Sequence, residues 1–165
     1  MQSQYHNLPK INGYDQKEGR QFAAKNTSFH ADAKKIVFST DISDAYIPEA
    51  GIEKWMRSYR LDRGKKFVVS DTYQFRELGN NPTTLNFVTY CKVEKVSDGV
   101  LGLKGEDFNL EMKYNPKNLT PEIEYNEIID SKLKYYWPKG ITRIVFTLND
   151  PGLKGKNQVE ILKAK

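Results

Sequence analysis

The sharpest alternation of apolar and polar positions falls between Asp44 and Phe75. Extended over residues 55–62, the chain would set Trp55, Arg57, Tyr59 and Leu61 on one face and Met56, Ser58, Arg60 and Asp62 on the other, because successive side chains of a strand point to opposite sides. Gly64 supplies a turn after Arg63, and Phe67-Val68-Val69 opens a second β-branched and aromatic run through Asp71, Tyr73 and Phe75. Two strands joined by a tight basic turn are expected. Similar short runs follow one another along the chain. Residues 22–29 are a weak strand candidate, and residues 35–42 alternate with Ile36, Phe38 and Ile42 on one side. Residues 43–52, with Pro48 and Gly51, read as a connection with room for one helical turn. After the turn signal of residues 78–82, strands are expected at 85–93, beyond Asp98-Gly99 at 100–103, and at Phe108, Leu110, Met112 and Tyr114, which alternate strictly. Residues 122–129 alternate around Ile123 and Tyr125, and 132–137 form an aromatic stretch stopped by Pro138 and Gly140. Strands at 141–148 and 159–162 flank a turn at 149–152.

About ten short strands at roughly 8–12-residue spacing predict an all-β fold, an antiparallel β-sandwich with little or no helix. No repeat, linker or low-complexity tract divides the chain, so residues 1–165 read as a single domain. Composition agrees: 12% of residues are aromatic, ten of them tyrosine, and such rings pack well on a pleated surface. The net charge of +5 is spread over 26 basic and 21 acidic residues. That is a mild bias toward anionic partners without the clustered footprint of a nucleic-acid binder. Cys91 is the only cysteine, which excludes an intrachain disulfide and a cysteine-based metal site. No stretch is long and apolar enough for a membrane span. The opening MQSQYHNLPKINGYDQKEG has no starting element and reads like the interior of a longer protein, with Met1 marking a cut.

Chemical signals are sparse. His6 and His30 are the only histidines, and a metal needs three or four ligands in one cluster. There is no nucleophile elbow, metalloprotease helix or phosphate loop, and Gly99, Gly102 and Gly105 read as hairpin punctuation. Asp41, Asp44, Glu49, Glu53, Asp62 and Asp71 could include a pair of glycosidase carboxylates, but scattered acids more often form a solvated face. Tyr135, Tyr136 and Trp137 could make a sugar-stacking platform, but since neighbours on a strand point to opposite faces, at least one of these rings is expected in the core. Trp55 reads as core. Arg57, Arg60 and Arg63 could grip carboxylate or sulfate groups in bidentate fashion, or pair with neighbouring acids on a strand surface.

The runs YHNLPKINGYDQKEGRQFAAK and STDISDAYIPEAGIEKWMRSYRLDRGKKFVVSD resemble the C-terminal β-sheet region of heparinase II/III-like polysaccharide lyases. The likeness covers roughly the first 75 residues and rests on several features in order. These are the His6-Asn7 dipeptide, a turn with Asn12, Gly13, Gln16 and Gly19, then Asp41, Ala45, Tyr46, Glu49 and Ala50, and last Trp55, Arg57, Leu61, Arg63 and Asp71. The resemblance implies a parent that cleaves a uronate-containing polysaccharide by β-elimination, with an N-terminal α/α toroid as this chain's partner. It implies that the main catalytic residues lie outside this chain, which would be inactive alone. It also implies a zinc ligand at His6 in the parent, an orphan here because other ligands lie upstream, and placement in the periplasm or outside a bacterial cell. Arg57, Arg60, Tyr136 and Trp137 are the candidate contacts to an acidic polysaccharide. Neither nucleic acid nor membrane is expected as a partner. Two alternatives stay open: a free-standing module that binds acidic glycans without chemistry, and a purely structural domain. An accessory domain should expose an apolar patch where the toroid docks.

Overall fold

The structure, a computed structural model, describes residues 5–164. Met1 lies outside them. The central hairpin forms as its pattern dictates, from a strand at Ile52–Asp62 and another at Lys66–Phe75. Its register sets Arg57 opposite Asp71, Tyr59 opposite Val69 and Leu61 opposite Phe67. Numbered in chain order, the strands are β1 (Pro9–Lys10), β2 (Lys25–Ala31), β3 (Lys35–Asp41), β4 (Ile52–Asp62), β5 (Lys66–Phe75) and β6 (Thr84–Thr89). There follow β7 (Lys92–Ser97), β8 (Val100–Lys104), β9 (Asn109–Tyr114), β10 (Leu119–Asn126), β11 (Ile141–Leu148) and β12 (Lys154–Lys163), with helix α1 (Ser131–Tyr136) between β10 and β11. All paired strands are antiparallel. They make an eight-stranded sheet, ordered β2-β3-β4-β5-β12-β9-β8-β7, and a four-stranded sheet, ordered β1-β6-β11-β10. The expected β-sandwich is therefore the fold.

Alternation builds the core. Trp55, Val69, Tyr73, Met112, Tyr114, Leu101 and Val159 of the large sheet meet Leu85, Phe87, Ile144, Phe146 and Leu148 of the small one in one buried cluster. Phe146 lies with its ring centre 4.9 Å from Tyr114 and 5.9 Å from Phe87. Four strands do not cover eight, and the inner face of the large sheet overhangs at β2, β3 and the end of β4. In cross-strand register Phe29 faces Phe38, and Phe38 faces Tyr59, so the three share that inner face. Phe29 remains 70% exposed, and Phe38 and Leu61 are partly exposed beside it.

Three expectations change on contact with the structure. The run 85–93 is two strands: β6 pairs in the small sheet and β7 in the large one, and the chain crosses between them at Tyr90 and Cys91. The crossing is pinned by hydrogen bonds, from the Cys91 amide to Thr89 Oγ1 at 3.1 Å and from Thr142 Oγ1 to the Cys91 carbonyl at 3.1 Å. The run 132–137 is helical, because Asp130 caps it by accepting from the Lys132 and Leu133 amides. The closing strand starts five residues earlier than its apolar pattern suggested, at Lys154. Its first half pairs with β5 alone, where polar residues suffice. Residues 43–52 contain two short 3-10 turns, Ser43–Ala45 and Pro48–Ala50. Among the described residues no helix is long and apolar enough to cross a membrane.

Before β2 the chain runs as a strap over the sandwich. Asn12 and Gly13 both take positive φ there, and a Cβ on Gly13 would fall 2.7 Å from the Asn81 side chain. Asn12 ties the turn inward, its amide donating to Thr83 Oγ1 and its Nδ2 to the Ala50 carbonyl. Tyr46 is buried and donates from its hydroxyl to the Pro9 carbonyl at 2.6 Å. Burial pushes this phenol above the ordinary value of 10.0, with Arg57 opposing the shift and Asp71 adding to it. Burial also raises Tyr73. The folded state therefore keeps both phenols neutral where the unfolded chain would ionise them. Their contribution is complete below the unfolded value and is lost as pH rises toward the folded one. Stability in urea should stay level through neutral pH and fall above about pH 10. Tyr46→Phe should cost about 1–3 kcal/mol at neutral pH, by leaving the Pro9 carbonyl unpaired, and should soften the alkaline fall. An alkaline limb unchanged by that substitution would show that Tyr46 does not set it.

Candidate functional site

Two constructions occupy the region where the strap crosses the sandwich. The first is internal. Arg57 has no exposed surface and forms a bidentate pair with Asp71, with Nε to Oδ1 at 2.7 Å and Nη2 to Oδ2 at 2.8 Å. Trp55 Nε1 donates to the same Asp71 Oδ1 at 2.6 Å, and its ring stacks on Tyr73 at 5.2 Å. The remaining arm of Arg57 donates from Nη1 to the Asn7 carbonyl at 2.7 Å. Burial alone would lower the Arg57 pKa; the adjoining Asp71, through charge and hydrogen bonding, overrides that and raises it. Asn7 in turn accepts from the Val88 amide through Oδ1 at 2.6 Å, and Asn86 Nδ2 donates to the Leu8 carbonyl. A buried charge pair thus reaches through the sandwich to hold the strap on β6, and the strap carries His6.

The second construction is open to solvent. Between the β10–β11 end of the small sheet and the β7–β8 edge of the large one lies a furrow of about 910 Å³. A second hollow of about 760 Å³, lined by Tyr5, His6, Glu127 and Leu133, adjoins it. Tyr90 and Trp137 line both, so the two hollows flank this pair of residues. Tyr125 lies on the inward face of β10 beside Thr142 of β11, yet is 65% exposed because the large sheet does not cover that end. Its hydroxyl donates to the Lys139 carbonyl at 3.0 Å. The same corner requires glycine at Gly140, where φ is +72° and a Cβ would fall 2.6 Å from the Asn126 carbonyl oxygen. Lys92, Lys104 and Lys139 line the furrow with Glu106, and Lys139 Nζ pairs with Glu106 at 2.6 Å.

The sequence candidates separate in space. Tyr136 and Trp137 both line the furrow, at the end of α1. The expectation that one ring of Tyr135, Tyr136 and Trp137 turns inward fails: on a helical turn all three stay exposed. Arg57 is committed to Asp71 and Asn7 and, with no exposed surface, offers nothing to a ligand. Asp71, grouped above with solvated acids, is buried for the same reason. Arg60 lies on the outer face of β4, its Nε 3.2 Å from Asp62, and lines neither hollow. Arg63 Nε donates to the Asp32 carbonyl. Tyr90, Tyr125 and the lysines were not singled out by the sequence. Tyr125 in particular shares the period of core residues, and only the unequal strand count of the two sheets exposes it.

Among the described residues no three His, Cys, Asp or Glu side chains come together as a metal cluster. The residues present do not fit a zinc centre, and His6 could supply one ligand at most. His30 lies on the surface with Nε2 3.3 Å from Asp32.

No protein-family model matches the sequence, and no curated protein matches it. Solved structures do match the fold. Heparan sulfate lyase HepC from Pedobacter heparinus aligns with a TM-score of 0.69 at 15% identity, over 98% of this chain and 24% of that one. A heparinase III, the BT4657 gene product, aligns with a TM-score of 0.70 at 13% identity, over 99% of this chain and 24% of that one. This chain is therefore similar in fold to a portion of each lyase, spanning about a quarter of its length.

Proposed function

We propose that this chain is an accessory β-sandwich domain of a heparinase II/III-like polysaccharide lyase, packed in its parent against a helical α/α toroid. The observation that carries the reading is the fold: nearly all of this chain aligns with lyases of which it spans 24%. The overhanging inner face supports it. Phe29, Phe38 and Leu61 form an apolar surface of the kind that marks a docking site. β-Elimination from a uronate needs its carboxylate neutralised, a base at the neighbouring proton and an acid at the leaving oxygen, all within direct reach. In this reading those groups come chiefly from the rest of the parent, and the present chain closes one side of the substrate groove. His6 could serve a zinc centre only beside ligands from the rest of the parent. The parent would work on an acidic polysaccharide in the periplasm or outside the cell.

The test is the whole parent protein, assayed on heparan sulfate and other uronate polysaccharides for the ultraviolet absorbance of unsaturated products. Cleavage by the parent and none by this chain alone is expected. Phe29→Asp should change the stability of the isolated chain by no more than about 0.5 kcal/mol. In the parent it should increase protease cleavage between the domains. A reading frame that encodes no helical domain, or a parent that leaves every uronate polysaccharide intact, would overturn the proposal. The furrow favours a second reading, a free-standing module that holds acidic glycans without cleaving them.

A further inference from the structure

We infer that a narrow cleft between the two sheets binds a single alkyl chain with one hydrogen-bonding head group. The tail would lie across the inner face of the large sheet and the head beside Asn7, Thr89 and Tyr90. The inference goes beyond the lyase proposal and does not depend on it.

Shape is the first argument. Tyr59 of β4, Phe67 of β5, Ile161 of β12, Leu110 of β9 and Leu103 of β8 line one cavity of about 360 Å³. Those five strands are consecutive in the sheet, so the cavity wall runs across four strand spacings, roughly 19 Å. Phe87 of β6 and Ile144 of β11 close it from the small sheet. A void of that volume drawn out along that wall is long and thin. An extended chain fits it, whereas a compact ring would leave most of it empty.

The lining is the second argument. No charged residue contributes to it. Tyr59, Phe67, Leu110 and Ile161 pack against the core yet stay only half-buried, so apolar surface remains to be covered. Walls of this kind give water few partners, and the volume lies within the range of about 300–1,000 Å³ common to small-molecule sites.

Polar groups at the mouth are the third argument. Asn7 Oδ1 accepts from the Val88 amide, which sets the Asn7 side chain next to Thr89 and Tyr90 at the end of β6. All three line the cavity. Tyr90 is 59% exposed and meets the half-open Phe108 ring edge-on at 6.3 Å, so the cleft reaches solvent there. A head group emerging between these side chains finds an amide and hydroxyls to bond. A second polar end, buried against the apolar walls, would find none.

The test uses the full chain, 1-octanol as the ligand and toluene as a compact apolar control. Methyl NMR reads the site, because Ile144 and Met112 are buried in the cavity wall and the 88% exposed Ile129 is not part of it. Saturable shifts of the Ile144 and Met112 methyls with 1-octanol are expected, with Ile129 unmoved and toluene bound about tenfold more weakly. Leu110→Trp and Ile161→Trp each fill the cleft from a different strand and should weaken octanol binding about tenfold or more. The deciding variant is the one whose urea midpoint matches the parent sequence. Phosphatidylcholine vesicles separate two sources of such a chain. Flotation of the protein with vesicles, lost in the blocking variant, assigns the cleft to a lipid tail; octanol binding without flotation assigns it to a free amphiphile. Shifts that do not saturate, that move Ile129 equally, that persist in a folded blocking variant, or that toluene produces at equal affinity would overturn the inference.

Discussion

Asp71→Ala is expected to lower the free energy of unfolding by about 3–5 kcal/mol, because it leaves the Arg57 charge buried without its counter-ion. The loss has identifiable parts. Two hydrogen bonds from Arg57 and one from Trp55 Nε1 all end on the Asp71 carboxylate. Arg57 has no exposed surface, so bulk solvent does not replace them. Against a whole-domain stability of about 5–15 kcal/mol, such a loss is a large fraction of the total. Replacing both partners, Arg57→Met with Asp71→Leu, removes the stranded charge and should recover most of the loss. It should not restore the strap. The Asn7 carbonyl keeps its Arg57 donor in Asp71→Ala and loses it in the double variant, so hydrogen exchange at the Val88 amide, which is bonded to Asn7 Oδ1, should speed up in the double variant. The check is a urea midpoint for each variant with exchange read at Val88. A cost below about 1 kcal/mol for Asp71→Ala would mean that the pair is not an anchor of the fold.

Phe146→Ala should cost a similar amount, about 3–5 kcal/mol, by a different mechanism. Phe146 is fully buried on β11, between Leu85 of β6 and Pro121 of β10 in register, and its ring meets Phe87 and Tyr114. It is the point where the small sheet grips the large one. Removing the ring forfeits its transfer from water and leaves a cavity that two flanking sheets cannot easily close. Phe29→Ala is the matched control, since it removes the same ring from the uncovered overhang and should fall within about 0.5 kcal/mol of the parent sequence. Equal losses at the two positions would contradict the assignment of the core to the overlap of the sheets.

Strands were legible in this sequence wherever one face is buried and the other wet. The Ile141–Leu148 strand alternates buried and half-buried without a break and was read to the residue. The central hairpin was read for the same reason. What the period could not reveal is how far each strand is covered by the opposite sheet. Tyr125 and Phe29 follow the inward rhythm as faithfully as Phe146, yet lie where one layer outruns the other. Arg57 and Asp71 were misread because charged residues are ordinarily found outside. A signal was available: a hairpin turning at Gly64 puts the two at equal distances from the turn, and so directly opposite on the face shared with Trp55. The helix at 131–136 was hidden by aromatic residues that suit strands, although Asp130 before it is a sound cap.

The order of strands in the large sheet also governs when it can form. β12 is the last strand of the chain, but it lies between β5 and β9, so the sheet is a four-stranded piece and a three-stranded piece until residues 154–163 arrive. During synthesis residues 154–163 must have left the ribosome before the two pieces can join. Until then β5 and β9 each present a raw edge on which a neighbouring nascent chain could pair. Such long-range closure makes folding slow, because loop entropy is spent before the contacts repay it. Dependence on chaperones while the polypeptide is being made, more than fragility once it is complete, is the vulnerability this topology builds in.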